Sequence, residues 1–305
     1  MRSRHVRQTV FPLLAALIWG TAFVPQSIST AYVGPFTFNA VRSLIATVVL
    51  FIVAKIFDSR KKAELAARTP EQKKADRKGI IAGGIACGVF LGGASVLQQI
   101  GIAGTSAGKT AFITAMYIVL VPIFGLFLRK KTGLNVWISV VIAVAGLYFL
   151  CITDGFSIAT SDLYVLACAV VFAIHILVID HFSAKADGVW MSCVQFLTAM
   201  IITGVIALIA EKPQMSQIME CFWPLMYMGV FSSGVAYTLQ ILAQKDANPT
   251  VVTLLLSLES VFGTIAGAVL LDEKMSGREY IGCVLMLVAV VLAQLPTKAE
   301  KSLKK

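Results

Sequence analysis

Two stretches of this sequence decide its fold: TSAGKTAFITAMYIVLVPIFGLFL at residues 105–128 and PTVVTLLLSLESVFGTIAGAVLL at residues 249–271. Each is long and apolar enough to form an α-helix that crosses a hydrocarbon core of about 30 Å. They align with each other at a shift of 142 residues, which places Tyr117 opposite Glu259. The chain therefore contains a repeated membrane-spanning unit.

Eight further apolar stretches of similar length surround these two. The ten predicted spans are residues 9–30, 34–57, 79–101, 105–128, 133–152, 162–182, 188–210, 221–243, 249–271 and 276–295. Five precede an acidic break around residues 154–162 and five follow it. A repeat with an odd number of spans enters the membrane from the opposite side the second time. The sequence thus predicts an all-α, polytopic membrane protein with two inverted five-helix repeats, at residues 9–152 and 160–295.

The composition leaves little room for a domain outside the membrane spans. Of the 305 residues, 58% are hydrophobic and 14% are charged, whereas soluble domains average about 25% charged residues. The ten spans leave only short loops, one basic segment and a tail, so no soluble catalytic domain fits. A cleaved secretory signal is the alternative interpretation of the first span, but its long apolar core and the spans that follow favour a retained helix.

The positive charges indicate topology. The net charge is +10, and 21 of the 26 Lys and Arg residues fall on the side of the N-terminus. Lys109, Lys212, Lys274 and Arg278 fall on the other side. This asymmetry is typical of a multi-pass protein of the cell (inner or plasma) membrane with both termini in the cytoplasm. The basic charge is therefore not interpreted as a nucleic-acid-binding surface.

The longest basic loop, residues 58–78, is predicted to be a solvated helix or a disordered segment, with a binding role as the alternative. Glycines at intervals of four or five residues, from Gly79 to Gly92, predict close helix packing, as does the pair Gly263 and Gly267. Such ladders serve contacts within and between subunits alike, so homo-oligomerisation stays open. Pro25 and Pro122 are expected to bend their helices.

Two charged residues lie inside predicted spans. Arg42 lies about eight residues into the second span, and Glu259 lies near the middle of the ninth. A charge at the centre of a membrane helix costs about 2.5–3.5 kcal/mol on insertion scales, so each should face protein or water. Glu259 is a candidate for proton or cation coupling, for binding a substrate ammonium, or for a structural role. Arg42 is a candidate carboxylate or phosphate clamp, or a topological and packing residue.

Uncharged polar residues also collect on single helix faces. Such faces occur in four spans and comprise Ser95, Gln98 and Gln99; Thr110, Thr114 and Tyr117; Ser233, Tyr237, Gln240 and Gln244; and Thr253, Ser257, Ser260 and Thr264. They predict a hydrated cavity between the halves, with interhelical hydrogen bonding as the alternative. The repeat pairs Gln98 with Gln240, which favours a place for both in the cavity wall.

His175 and Trp19 are further candidates for the cavity. A lone membrane histidine is either a proton relay or a packing residue, and Trp19 either stacks on a solute or belongs to the core. Six cysteines form no pair or Cys/His spacing typical of a metal site or a disulfide framework. No metal and no cofactor are predicted.

Three motifs resemble those of a known family. Residues 17–23 (LIWGTAF) are similar to its opening Trp-Gly motif, and residues 39–43 (NAVRS) to its Arg-bearing segment. Residues 258–263 (LESVFG), followed by 270–274 (LLDEK), are similar to its Leu-Glu-Pro-Val-Phe segment and Gly-Glu ending. Over essentially its whole length, the chain resembles the EamA family of the drug/metabolite transporter superfamily.

The resemblance implies a central substrate cavity between the repeats, with spans 5 and 10 at the periphery. It also implies transport of small organic solutes, commonly the export of amino acids, metabolites or drugs. Ser260 replaces the family's proline, which leaves the bend of that helix open.

The predicted function is therefore secondary transport of a small-molecule solute across the lipid bilayer by alternating access. An intramembrane enzyme is the first alternative, but it would need clustered acids, an HExxH motif or a catalytic dyad within the spans. The sequence offers one buried carboxylate and one central histidine, so no enzyme is predicted. A channel or a non-transporting scaffold is the second alternative.

Overall fold

A computed structural model describes residues 2–105, 107–129, 132–152, 159–245, 247–270 and 275–295. The acidic break around Asp154 and the Asp272–Lys274 end of the ninth-span motif lie outside the described residues. All described elements are helices. The predicted fold class is confirmed, with nine helical stretches long and apolar enough to cross a membrane and a shorter apolar helix, Pro249–Ile265, among the described residues.

Seven of the ten spans are single helices. They are Arg2–Ser29 (span 1), Pro35–Arg60 (span 2), Pro70–Ile102 (span 3), Leu134–Cys151 (span 5), Thr160–Ser183 (span 6), Gly188–Ala210 (span 7) and Gly277–Gln294 (span 10). Short helices, Lys62–Ala67 and Met215–Glu220, lie in two of the loops. The helix of span 1 continues through Pro25.

The other three spans are each built from more than one segment. Span 4 comprises Ala107–Thr114 and Tyr117–Phe127; span 8 comprises Phe222–Tyr227, a π-helix Met228–Ala236 and Tyr237–Gln244; span 9 comprises Pro249–Leu256 and Glu259–Leu270. Irregular backbone at membrane depth is stable only where protein or a water-filled cavity surrounds it. These three spans therefore mark the interior of the bundle.

Helix packing follows the twofold relation between the repeats. Span 2 packs on span 7 and span 5 on span 10, which are the pairs that the repeat makes equivalent. Spans 3 and 4 of the first repeat pack on span 6 of the second. In the equivalent way, spans 8 and 9 of the second repeat pack on span 1 of the first. The two halves thus interlock around a common centre, with spans 5 and 10 paired outside it.

The outward faces of the bundle are apolar. Spans 2, 7 and 10 expose large apolar side chains, among them Val48, Phe51, Val205, Leu208, Val284 and Val291. A contiguous apolar exterior of this kind is stable in contact with lipid chains. The chain is a multi-pass membrane protein.

The predicted glycine ladder of span 3 packs inside the same chain. An added Cβ at Gly84 would meet Val194, and one at Gly88 would meet the Gln195 carbonyl and Thr198, all in span 7. These glycines let the two helix backbones approach closely.

Candidate functional site

Spans 4 and 9 are interrupted at equivalent positions. The turns fall at residues 115–116 and 257–258, which the repeat shift of 142 superimposes. Both turns tighten the backbone, because the amide of Met116 donates to the Ile113 carbonyl at 3.1 Å and that of Leu258 to the Leu255 carbonyl at 3.3 Å. Interrupted helices at matching positions of two repeats are the usual surroundings of a transporter binding site.

Hydroxyl side chains account for the interruption of span 9. Thr253 donates its hydroxyl to the carbonyl of Thr250 at 2.8 Å, and Ser257 donates to that of Leu254 at 2.9 Å. Such bonds compete with the helix ladder and bend helices. The span therefore turns without the proline that Ser260 replaces. In span 4 the turn precedes Pro122, which lies inside the second half-helix.

Tyr117 and Glu259 begin the second halves of the two interrupted spans. Both side chains are buried, and the Tyr117 hydroxyl donates to Oε1 of Glu259 at 3.4 Å. The start of a helix favours a negative charge, because unpaired backbone amides point toward it. Two equivalent residues of the repeats thus meet across the interface between the halves.

These two residues belong to the wall of a central cavity. Its lining residues come from spans 1, 2, 3, 4, 6, 8 and 9, and they are Trp19, Ala22, Phe23, Gln26, Arg42, Gln98, Thr114, Tyr117, Phe172, Ile176, Met228, Ser232, Tyr237, Gln240, Leu256 and Glu259. About 50 Å³ of the cavity is open to the centres of water molecules, which is room for a few waters. Among the described residues, spans 5, 7 and 10 contribute none of this lining.

Arg42 brings a positive charge to the same wall. Its side chain is buried, and Nη2 donates to the Ser95 hydroxyl at 3.3 Å. The guanidinium lies 5.8 Å from the centre of the Phe38 ring and close enough to Tyr237 to interact with its hydroxyl. Within the described part of the chain, neither Arg42 nor Glu259 forms a salt bridge.

An aromatic pair forms one side of the cavity. The rings of Trp19 and Tyr237 meet edge to face with centroids 4.7 Å apart. The Trp19 indole donates to the carbonyl of Ser232 at 3.2 Å, which fixes the ring against the π-helix of span 8. Phe196 supports Tyr237 from behind at 5.5 Å between centroids.

A chain of amides forms another side. Gln26 donates to Oε1 of Gln98 at 3.1 Å, and Gln98 donates to the Thr114 hydroxyl at 3.2 Å. Gln99 donates to the backbone carbonyl of Gln26 at 3.2 Å. This chain ties spans 1, 3 and 4 of the first repeat together. In the second repeat, Gln240 lines the cavity with its Oε1 unpaired among the described residues.

The structure brings seven of the eight predicted residues to this cavity: Trp19, Arg42, Gln98, Tyr117, Tyr237, Gln240 and Glu259. His175 lies one layer behind, with its ring 6.1 Å from that of Tyr237 and Nε2 3.2 Å from Oε1 of Gln195. His175 therefore supports the wall through Tyr237 rather than lining it.

The sequence reasoning missed two polar members of the wall. Gln26 shares a helix face with Trp19 and Phe23 at positions i, i+4 and i+7, and this spacing is a signal for it. Ser232 lines the cavity where the sequence pattern had placed Ser233. The π-helix explains the difference, because it inserts an extra residue per turn and rotates the face.

One end of the bundle carries an ion pair between the repeats. Nζ of Lys109, at the start of span 4, lies 2.6 Å from Oδ2 of Asp162, at the start of span 6, and both side chains are mostly buried. The repeat places Val251 and Thr9 at the corresponding positions of the other end. The two ends of the bundle therefore differ in chemistry at these equivalent positions.

The chain is similar in sequence and structure to known proteins. The EamA-like transporter family matches residues 9–152 and 159–295. An uncharacterized transporter of Archaeoglobus fulgidus is 29% identical over 92% of this chain and 84% of its own. One of Methanothermobacter thermautotrophicus is 22% identical, also over 92% and 84% of the two chains. A protein crystal structure superimposes with a TM-score of 0.74 at 18% identity, covering 98% of this chain and 99% of that one.

The family match and the relatives named as transporters indicate a membrane transporter. The chain belongs to the EamA-like transporter family, which confirms the resemblance of its motifs.

Proposed function

We propose that the chain is a secondary transporter that moves a small organic solute by alternating access, with the central cavity as its binding site. The observation that carries the proposal is the meeting of Tyr117 and Glu259, the first residues of two equivalent half-helices, in the wall of a buried cavity. A rearrangement of either repeat relative to the other changes this wall directly. Metabolites, amino acids and drugs are all within the proposed class.

The charges of the cavity narrow the chemistry of the solute. Arg42 and Glu259 line one cavity, are both buried and form no salt bridge with any described residue. A buried charge without an opposite charge beside it is costly, and a bound solute of complementary charge offsets that cost. A zwitterion, with its carboxylate at Arg42 and its ammonium at Glu259, therefore fits better than a neutral solute.

The small volume open to water supports a constricted conformation of the cavity. About 50 Å³ open to water centres holds a few waters, so the cavity is narrow in this conformation. Loading therefore requires the cavity walls to separate, first toward one face and then toward the other. A carrier needs such a constricted intermediate, whereas a channel needs a continuous path.

The proposal also includes the orientation of the chain in the membrane and the direction of transport. We propose a place in the cell membrane with both termini cytoplasmic, because most Lys and Arg residues lie at the N-terminal side. Export is the proposed direction, in keeping with the family resemblance. Proton coupling at Glu259 is the second candidate mechanism, because burial disfavours the charged form of a carboxylate.

Counterflow in proteoliposomes tests the proposal. A panel of zwitterionic, cationic, anionic and neutral solutes of similar size is assayed with the wild type, Arg42→Gln and Glu259→Gln. We expect the arginine variant to lose carboxylate-bearing solutes and the glutamate variant to lose ammonium-bearing ones, each by about tenfold or more. Arg278→Gln is the matched control, because Arg278 lies over the Tyr148 ring outside the cavity.

The same vesicles separate the mechanisms. Accelerated uptake with solute on the far side indicates a carrier, and its absence for every solute contradicts alternating access. If Glu259→Gln keeps both transport and its response to a pH gradient, the proton-coupling mechanism is wrong.

A further inference from the structure

The end of the bundle that bears the N-terminus carries an ordered basic projection. We define the basic hairpin as residues 55–78: the end of span 2, the short helix Lys62–Ala67 and the start of span 3. It contains nine Lys and Arg residues and four Asp and Glu residues. The central cavity does not involve any of them.

Local contacts hold the basic hairpin in one shape. Span 3 begins with a capping box, in which the Gln72 amide donates to the Thr69 hydroxyl at 3.2 Å and the Thr69 amide to Oε1 of Gln72 at 2.9 Å. Arg68 forms an ion pair with Asp76. The indole of Trp190 in span 7 donates to Asp58 at 3.1 Å. Two of the four acids are thereby engaged in holding the hairpin together.

Four cations of span 3 share one exposed face. At 100° per residue, Lys73, Lys74, Arg77 and Lys78 fall within an arc of about 140°. All four are exposed, and none forms a salt bridge with another described residue. Asp76 points away from this arc toward Arg68. Exposed Glu71 lies about 20° beyond the Lys78 edge of the arc, so the face is a compact surface with a net positive charge.

The four cations destabilise the start of the span 3 helix. Cations near a helix N-terminus oppose the helix dipole. The pairs Lys73–Arg77 and Lys74–Lys78 also set like charges four residues apart, which destabilises a helix. Topology accounts for cations on this side of the membrane but does not require four of them on one helix face, whereas an anionic partner relieves both penalties.

The depth of the face matches the lipid headgroups. Gly79 packs against the backbone of Lys185 in the short loop between spans 6 and 7, which marks the surface of the bundle. Lys73 lies six residues before Gly79, which is about 9 Å farther along the helix. The headgroup layer on each side of the hydrocarbon core is about 5–8 Å thick. The cations therefore lie in and just above that layer.

We infer that Lys73, Lys74, Arg77 and Lys78 form a binding surface for the headgroups of anionic phospholipids in the leaflet at this end of the bundle. Several phosphates spread in a plane match several cations on one helix face, and juxtamembrane clusters of this kind attract anionic lipids. The inference holds whatever solute the cavity takes.

Lipid retention tests the inference. The protein is reconstituted in vesicles of equal phosphatidylglycerol and phosphatidylcholine, extracted in mild detergent and assayed for bound lipid by mass spectrometry. We expect phosphatidylglycerol to be enriched on the wild type. Each cation removed should lower that enrichment about fivefold, until the quadruple variant K73Q/K74Q/R77Q/K78Q reaches the bulk ratio.

Two controls separate this site from general charge. K298Q/K301Q/K304Q/K305Q removes the same charge from the tail and should keep the enrichment. K73R/K74R/K78R keeps the charge of the face and should also keep it. If the quadruple hairpin variant retains as much phosphatidylglycerol as the tail variant, the inference is overturned and the cations serve only topology.

Salt provides a test that needs no neutralised variant. Wild-type enrichment should fall between 0.05 M and 1 M NaCl, because the Debye length shrinks to about 3 Å at 1 M. Inorganic phosphate at matched ionic strength should displace no more lipid than NaCl does. Enrichment that is indifferent to salt, or specific displacement by phosphate, contradicts a lipid-headgroup surface.

Discussion

Substitution of Gly20 by alanine should disable the cavity from a position that does not line it. Gly20 in span 1 faces the start of the second half-helix of span 9, and an ideal Cβ there would lie 2.7 Å from the Gly263 amide nitrogen and 2.9 Å from the Phe262 Cβ. The carbonyl oxygen of Glu259 would be closer still. Two of these three obstacles are backbone atoms, so a change of rotamer cannot relieve the clash.

The magnitude follows from the required separation. Ordinary contacts to a Cβ begin at 3.4 Å, so spans 1 and 9 must move apart by roughly 1 Å at this crossing. Overpacking of this kind costs about 1–3 kcal/mol, which for a chain of 305 residues corresponds to a midpoint of unfolding lowered by roughly 2–5 °C. The same movement displaces Glu259 relative to Tyr117, and the 3.4 Å hydrogen bond between them is already long.

A glycine series makes the measurement decisive. Gly263→Ala would bring its Cβ to 3.1 Å from the Gly20 carbonyl and should have a smaller effect. Gly93→Ala meets nothing within 4 Å and should be neutral or slightly stabilising. Thermal unfolding in detergent and counterflow in proteoliposomes should rank the variants in the order Gly93, Gly263 and Gly20, from least to most affected. Equal stability and transport for the Gly20 and Gly93 variants would refute the close crossing.

Two further predictions concern contacts between the repeats. Tyr117→Phe removes the hydroxyl that donates to Glu259, so transport should fall several-fold and its pH dependence should shift. The control Tyr164→Phe, at an exposed tyrosine, should change neither property. Unchanged pH dependence in the Tyr117 variant would contradict the contact. Asp162→Asn removes the carboxylate that pairs with Lys109, so labelling of a cysteine introduced into the cavity wall by an impermeant thiol reagent should become faster from that end. The reversal K109D/D162K should restore slow labelling, and equal labelling rates for all three proteins would exclude the ion pair as a closure.

Hydropathy and charge predicted the spans because both properties follow from the identity of each residue and do not depend on tertiary packing. The apolar run of span 3 was predicted to start at residue 79, yet the helix begins at Pro70. Its first turns are polar, so hydropathy cannot detect them, while the capping box of Thr69 and Gln72 can. The helix alternative for the basic loop is the one observed.

The interruptions of the spans were harder to predict. The turns at residues 115–116 and 257–258 contain no proline or glycine, and a hydropathy window averages across them. Back-bonding by Thr253 and Ser257 is visible only once the side-chain rotamers are known. The π-helix of span 8 likewise depends on how it packs against spans 1 and 2. These features are set by tertiary packing, and they shape the wall in which the solute is proposed to bind.

The contact between Tyr117 and Glu259 locates the centre of the molecule. Residues that a twofold relation makes equivalent can touch only near its axis, and these two are 142 residues apart in the repeat alignment and hydrogen-bonded. For inverted repeats, that axis lies in the membrane plane. The cavity wall is therefore centred about equally far from both faces, as a site open to each face in turn requires. The chemistry on the axis is nevertheless unequal, because one repeat supplies a phenol and the other a carboxylate. In the proposed transport cycle, a rearrangement that exchanges the shapes of the repeats leaves the carboxylate in the second one, so the two half-cycles would present different electrostatics to the solute.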